Sequence, residues 1–119
     1  MPTSNNFNNV TLQLPIKTYD SASYQISGAA TAIAGGTQTS EAAPFTDSVT
    51  VTGVVVTDKN IAISPRDAVA IPRGLALISA VVTATNTLSI TWKNTTLDPI
   101  TPPAAGVWSV AVLGGFLKG

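Results

Sequence analysis

The sequence predicts an all-β fold: a single-domain β-sandwich or small barrel of short antiparallel strands, with an extended N-terminal segment. Three observations carry this. Apolar residues recur at every second position in several short stretches, and β-branched side chains dominate those stretches. Gly, Pro and Asn punctuate them at short intervals. No 12-residue window shows the three-to-four spacing of an amphipathic helix.

The chain divides at about residue 45. Residues 1–45 are rich in Asn, Thr, Ser, Gly and Ala, with large apolar residues spread thinly. They read either as an arm that reaches across a neighbour or as edge strands of the same domain. Within them "NNVTLQLPIKTY" places Val10, Leu12 and Leu14 on one face of a strand that ends at Pro15. "SYQIS" is a second short alternating piece, closed by Gly28. "GAATAIAGGTQTSEAAP" has the alanines of a helix, but Gly35, Gly36 and its threonines argue for an extended loop or weak strand.

Residues 46–119 carry the stronger β signal. "SVTVTGVVV" alternates Val49 and Val51 with Ser48, Thr50 and Thr52, then reaches Gly53, where a turn or bulge fits without a Cβ. "NIAISP" is a strand stopped by Pro65, and "RDAVAIPRG" is a connection. "LALISAVVTATNTLSITWKNTT" gives two strands around Ala84 to Thr87. On the second, Leu88, Ile90 and Trp92 face one way and Ser89, Thr91 and Lys93 the other. "LDPITPPAAG" is a stiff loop, since its three prolines exclude a central strand. "VWSVAVLGGF" closes the domain with Trp108, Val110 and Val112 on one face. The two tryptophans are thus expected in one core.

Only 10% of residues are charged, against about 25% in an average globular protein. Six basic and six acidic residues cancel, so no long-range field recruits nucleic acid or an anionic membrane. The polar surface must come from Thr, Ser, Asn and Gln. Such a surface gives little electrostatic protection against self-association, which suits a molecule that ends inside an assembly. Stability must come from packing, because there is no cysteine to cross-link. "MPTSNNFNNV" has neither the basic start nor the apolar run of a secretion signal, and no stretch approaches a membrane span, so folding in a cytoplasm is expected.

Chemistry is sparse. Cysteine and histidine are both missing, which removes thiolate chemistry, most zinc sites and the commonest general base. Asp20, Glu41, Asp47, Asp58, Asp67 and Asp98 are expected in turns or loop flanks, where a carboxylate bonds nearby backbone. "TDKN" lacks the repeated acidic ligands of a calcium loop. No "GxSxG" elbow occurs, and "GAATAIAGG" lacks the Lys and Ser/Thr that end a phosphate loop. The expectation is no catalytic residue, no metal, no cofactor and no small-molecule substrate. Asn9 and Asn94 match glycosylation sequons that carry little weight in so Thr-rich a chain. Lys93 beside Trp92 is the one basic and aromatic neighbour pair, too little for a nucleic-acid face. Phe7, Tyr19, Tyr24 and Phe45 anchor the N-terminal part either onto the domain or onto a partner.

The ordered series "VTVTGV", "TD", "ISP", "IPRGLALISAVVTATNTLSITWKNTT", "ITPPAAGVWSVAVL" resembles a β-domain of tailed-bacteriophage structural proteins. Small head decoration, cement and fibre proteins carry it. The resemblance covers residues 48–113, and residues 1–45 fit the variable part that precedes the domain in that family. It implies a structural virion protein, made in the host cytoplasm, that binds the outer surface of an assembled shell of major capsid protein. It also implies a homotrimer, and it brings no catalytic residues. The expected capsid or subunit contacts are Phe7, Val10, Leu12, Leu14 and Tyr19, with the segment from Pro2 to Tyr19 adding a strand to a partner's sheet. The alternative is a carbohydrate- or surface-binding β-module of a phage fibre or tail appendage.

Overall fold

The computed structural model describes residues 16–67 and 70–113; the expected strand over Val10, Leu12 and Leu14 lies outside them, as does Phe7. Six strands form two antiparallel sheets. The first sheet holds β1 (Ile16–Asp20), β6 (Trp108–Leu113) and β3 (Ile61–Pro65), in that spatial order. The second holds β2 (Phe45–Thr50), β5 (Thr87–Asn94) and β4 (Leu75–Ala84). The architecture is the all-β sandwich that the alternating pattern predicts.

The central strand of each sheet supplies the core. Leu88, Ile90 and Trp92 of β5 and Trp108, Val110 and Val112 of β6 are buried. The residues between them face outward and are half-buried. Trp92 and Trp108 meet edge to face across the two sheets, with ring centroids 5.9 Å apart. Tyr24 packs on Trp108 at 5.6 Å. Such tilted contacts add to area burial because the edge of one ring meets the electron-rich face of the next.

Among the described residues the β4–β5 hairpin is the one local pairing. Ala84 pairs with Thr87 across the two-residue loop Thr85–Asn86. Asn86 sits at φ 66°, a conformation asparagine tolerates better than most residues. Its side-chain oxygen accepts from the Gly53 backbone N–H at 2.9 Å, which ties the hairpin tip to the turn after β2. Gly53 itself is at φ 109°, and a Cβ there would come within 2.7 Å of the Tyr19 ring. The expected turn at Gly53 is present, and both backbone angle and ring contact explain it.

Three local expectations are corrected. "SYQIS" is not a strand: Tyr24 makes one bridge to Gly106, then Ile26–Gly28 forms a single 3-10 turn with Ser27 at φ 71°. The turn swings Ile26 fully into the core. "SVTVTGVVV" stops being strand at Thr50, because the turns closed by Val54 N–H to Val51 and Asp58 N–H to Val55 intervene. Val51 and Val54 plug the end of the core while Val55 and Val56 are exposed. Asp47 lies inside β2 rather than in a loop flank.

Residues 16–45 contribute directly to the sandwich. β1 pairs with β6 from Ile16 opposite Leu113 to Asp20 opposite Ser109. Tyr24, Ile26 and Ile33 belong to the same buried cluster as the two tryptophans, and Tyr19 and Phe45 pack against it.

Candidate functional site

Polar side chains in the interior are spent on holding the sheets together. The Trp92 indole Nε1–H donates to the Tyr24 hydroxyl at 2.8 Å, and that hydroxyl donates to Asp47 Oδ2 at 2.6 Å. The Ser27 backbone N–H donates to the same oxygen at 2.9 Å. One chain of hydrogen bonds therefore links β5, the segment before the 3-10 turn, and β2. Burial pushes the Tyr24 phenol well above its ordinary range, and the Asp47 hydrogen bond and charge push it further. The phenol is a fixed proton donor, not an acid.

Asn94 is a second such node. Its amide nitrogen donates to the carbonyls of Ile33, Ala34 and Asp98, and its oxygen accepts from the Thr96 N–H and hydroxyl. This buried side chain joins the 33–34 segment to the loop after β5. It is unavailable as a glycosylation acceptor in the folded chain, whatever its sequon suggests.

The remaining carboxylates are dispersed. Asp58 is buried, accepts from the Val55 N–H at 3.0 Å and lies 3.6 Å from the Lys17 ammonium. Asp67 accepts from the Val107 N–H at 2.9 Å, and Asp20 pairs with Arg66 at 2.6 Å on the surface. Glu41 pairs with Lys93, whose hydrogen bond and charge hold the Glu41 carboxyl below its ordinary range. Among the described residues no three metal-ligating side chains come together, and no helix is long and apolar enough to cross a membrane.

The molecule presents outward a set of sheet faces and sheet edges. The outer face of the second sheet is set by its register. Thr46, Thr91 and Ser79 form one row, Ser48, Ser89 and Val81 the next, and Thr50, Thr87 and Ala84 a third. Thr46 and Thr91 share a hydroxyl hydrogen bond of 2.9 Å. Lys93, opposite Ala76 and paired with Glu41, is the one charged residue among these cross-strand partners. The face is flat, uncharged and built from short side chains.

The two edges of that sheet differ. Along β2 an open groove of about 540 Å³ runs beside Ser23, Gln25, Thr46, Asp47 and Ser48. Asp47 turns its carboxylate toward the core side, and Thr50 O accepts from the Ala22 N–H. Along β4 the ladder is to β5 alone. There Leu77, Ile78 and Val81 stand 42%, 54% and 50% exposed.

The expected contact residues are accounted for only at Tyr19, which sits on β1 opposite Val110 and is half-buried against the core beside Gly53. The β4 edge had a sequence signal: "LALISAVVTA" is apolar on both faces, where a half-buried strand would alternate. The Tyr24–Asp47 pair spans 23 positions and had none. Compared with protein-family models, characterised proteins and solved structures, the chain matches none. Fold and surface together define a six-stranded antiparallel β-sandwich whose polar interior is structural and whose exterior is nearly uncharged.

Proposed function

We propose that this protein is a non-catalytic structural component of a virus particle, a decoration protein that docks on the outer surface of an assembled phage head and stabilises it. The observation that supports this most is the outer face of the second sheet, with its three rows of Thr, Ser, Ala and Val. Short side chains on a rigid sheet lose little rotamer freedom when they are covered, so a large flat contact forms at low entropic cost. Hydroxyls satisfy backbone groups of a partner without the desolvation penalty of charges. A protein that binds only the assembled shell stabilises it by the free energy of that binding. The likeness of residues 48–113 to phage decoration domains points the same way.

The test is imaging by cryo-electron microscopy of expanded capsids from the virus that encodes the chain, mixed with purified protein. Ordered extra density on the shell is expected, and Ser48→Arg with Ser89→Arg should remove it without unfolding the domain. A bare shell with the unsubstituted protein would sink the reading. A second reading, a carbohydrate- or surface-binding module of a phage appendage, draws on the groove beside Asp47, whose lining offers hydroxyl, amide and carboxylate groups. No fully exposed aromatic ring stands among the described residues to stack on a sugar, which favours the first reading. A glycan array decides whether the groove binds sugar.

A further inference from the structure

The carboxylates of this chain are not equally compensated. Asp20, Glu41 and Asp58 pair with Arg66, Lys93 and Lys17. Asp67 and Asp98 are exposed, where water screens a charge. Asp47 is half-buried inside β2, and no described lysine or arginine pairs with it. A charge drawn out of water is ordinarily paired.

The Asp47 carboxylate is also fixed in place. Its Oδ2 accepts from the Tyr24 hydroxyl at 2.6 Å and the Ser27 N–H at 2.9 Å, and that hydroxyl is held in turn by the buried Trp92 indole. Two donors fill the lone pairs of Oδ2. Oδ1 has no hydrogen-bond partner among the described residues, and since no buried side-chain oxygen there is left unsatisfied, Oδ1 is open to the groove that Asp47 lines. The groove adds acceptors and no cation. The Ser23 and Ser48 hydroxyls line it, and Gln25 donates its amide nitrogen to the Pro103 carbonyl at 3.1 Å, which leaves its Oε1 to accept.

We propose that this groove is a binding site for a primary ammonium group, the lysine side chain of a protein partner, seated end-on against Asp47 Oδ1. The single open oxygen selects the ligand. A guanidinium binds best through two parallel bonds to both carboxylate oxygens, and Oδ2 is already full. An ammonium is a compact charge with three donors, one for Oδ1 and the others for the Ser23, Ser48 or Gln25 oxygens. A calcium ion takes about six to eight oxygens, usually with several carboxylates, and the groove holds one carboxylate. A neutral sugar would leave the charge uncompensated. The inference does not rest on capsid binding, because the purified chain alone tests it.

The experiment is a nuclear magnetic resonance titration of the isotope-labelled full chain with Nα-acetyl-lysine methylamide. The amide signals of Ser23, Gln25, Ser27 and Ser48 should shift saturably. Asp47→Asn keeps an oxygen acceptor for Tyr24 and Ser27 but removes the charge, and should weaken binding at least about tenfold. Ala105→Lys leaves the Asp47 network intact, places an ammonium on the groove's own wall and should exclude the probe. Asp98→Asn, which removes an exposed carboxylate elsewhere, should leave binding unchanged. The same probe acetylated at Nε should not bind, and its arginine counterpart should bind more weakly. No saturable shift, undiminished binding by Asp47→Asn or Ala105→Lys, or equal binding of the acetylated or arginine probe would overturn the proposal.

Discussion

Phe45 and Leu77 stand opposite the same residue, Trp92, on the two edges of one sheet. Phe45 packs against the core, whereas Leu77 is 42% exposed. The difference comes from the chain packed alongside each edge strand. Beside β2 the chain from Ser21 to Gly28 folds back, lays Tyr24 and Ile26 into the core and anchors itself through Asp47. Nothing comparable lies along β4 among the described residues. Among the described residues one edge is covered by its own chain, and the other is open.

The two edges differ most at Asp47. Asp47→Ala removes the acceptor of both the Tyr24 hydroxyl and the Ser27 N–H, two hydrogen bonds to a charged group. A loss of about 3 kcal/mol is expected, read by urea denaturation. Ser79→Ala on the β4 edge should stay within about 0.5 kcal/mol. Equal losses would mean that Asp47 does not anchor the segment.

Next comes the pair around Trp92. Phe45→Ala should cost about 2 kcal/mol, less than a fully buried phenylalanine because Phe45 is half-buried. Leu77→Ala should cost about 1 kcal/mol or less in the monomer. A reversed order would place the better-packed edge at β4.

A smaller effect is expected from pH. The folded phenol of Tyr24 holds its proton above the ordinary tyrosine range, chiefly through burial. The unfolded chain ionises this group near pH 10. The contribution of Tyr24 is therefore complete below about pH 10 and declines as pH rises above it. Tyrosinate absorbance should show Tyr24 ionising only as the protein unfolds, and Tyr24→Phe should remove that part of the alkaline instability. Ionisation of Tyr24 in the intact fold would contradict the buried network.

β5 and β6 were legible because period-two alternation reports burial directly. Leu88, Ile90 and Trp92 against Ser89, Thr91 and Lys93 divide between core and exterior as their spacing predicts. The turns at Gly53 and Asn86 were legible from residue type. Residues 21–34 were legible only in part: "SYQIS" alternates and its Tyr24 and Ile26 are buried, but through one bridge and a 3-10 turn in place of a strand, and Ile33 enters through a lone bridge with no period around it. The candidate surface divides the same way. The uncharged hydroxyl face is readable from composition and alternation. The two-sided apolar pattern of β4 is readable as well, but which strands lie at an edge is not, because an edge is a property of strand order.

Local spacing and composition, which each segment carries alone, set the class of fold, the inward and outward faces of β5 and β6, and a surface poor in charge. The tertiary arrangement set the meeting of Asp47 with Tyr24, the reach of Asn94 to the distant carbonyls of Ile33 and Ala34, and the open outer edge of β4 among the described residues. Those outcomes depend on which strands become neighbours, and that is settled by the packing of the whole chain around Trp92 and Trp108.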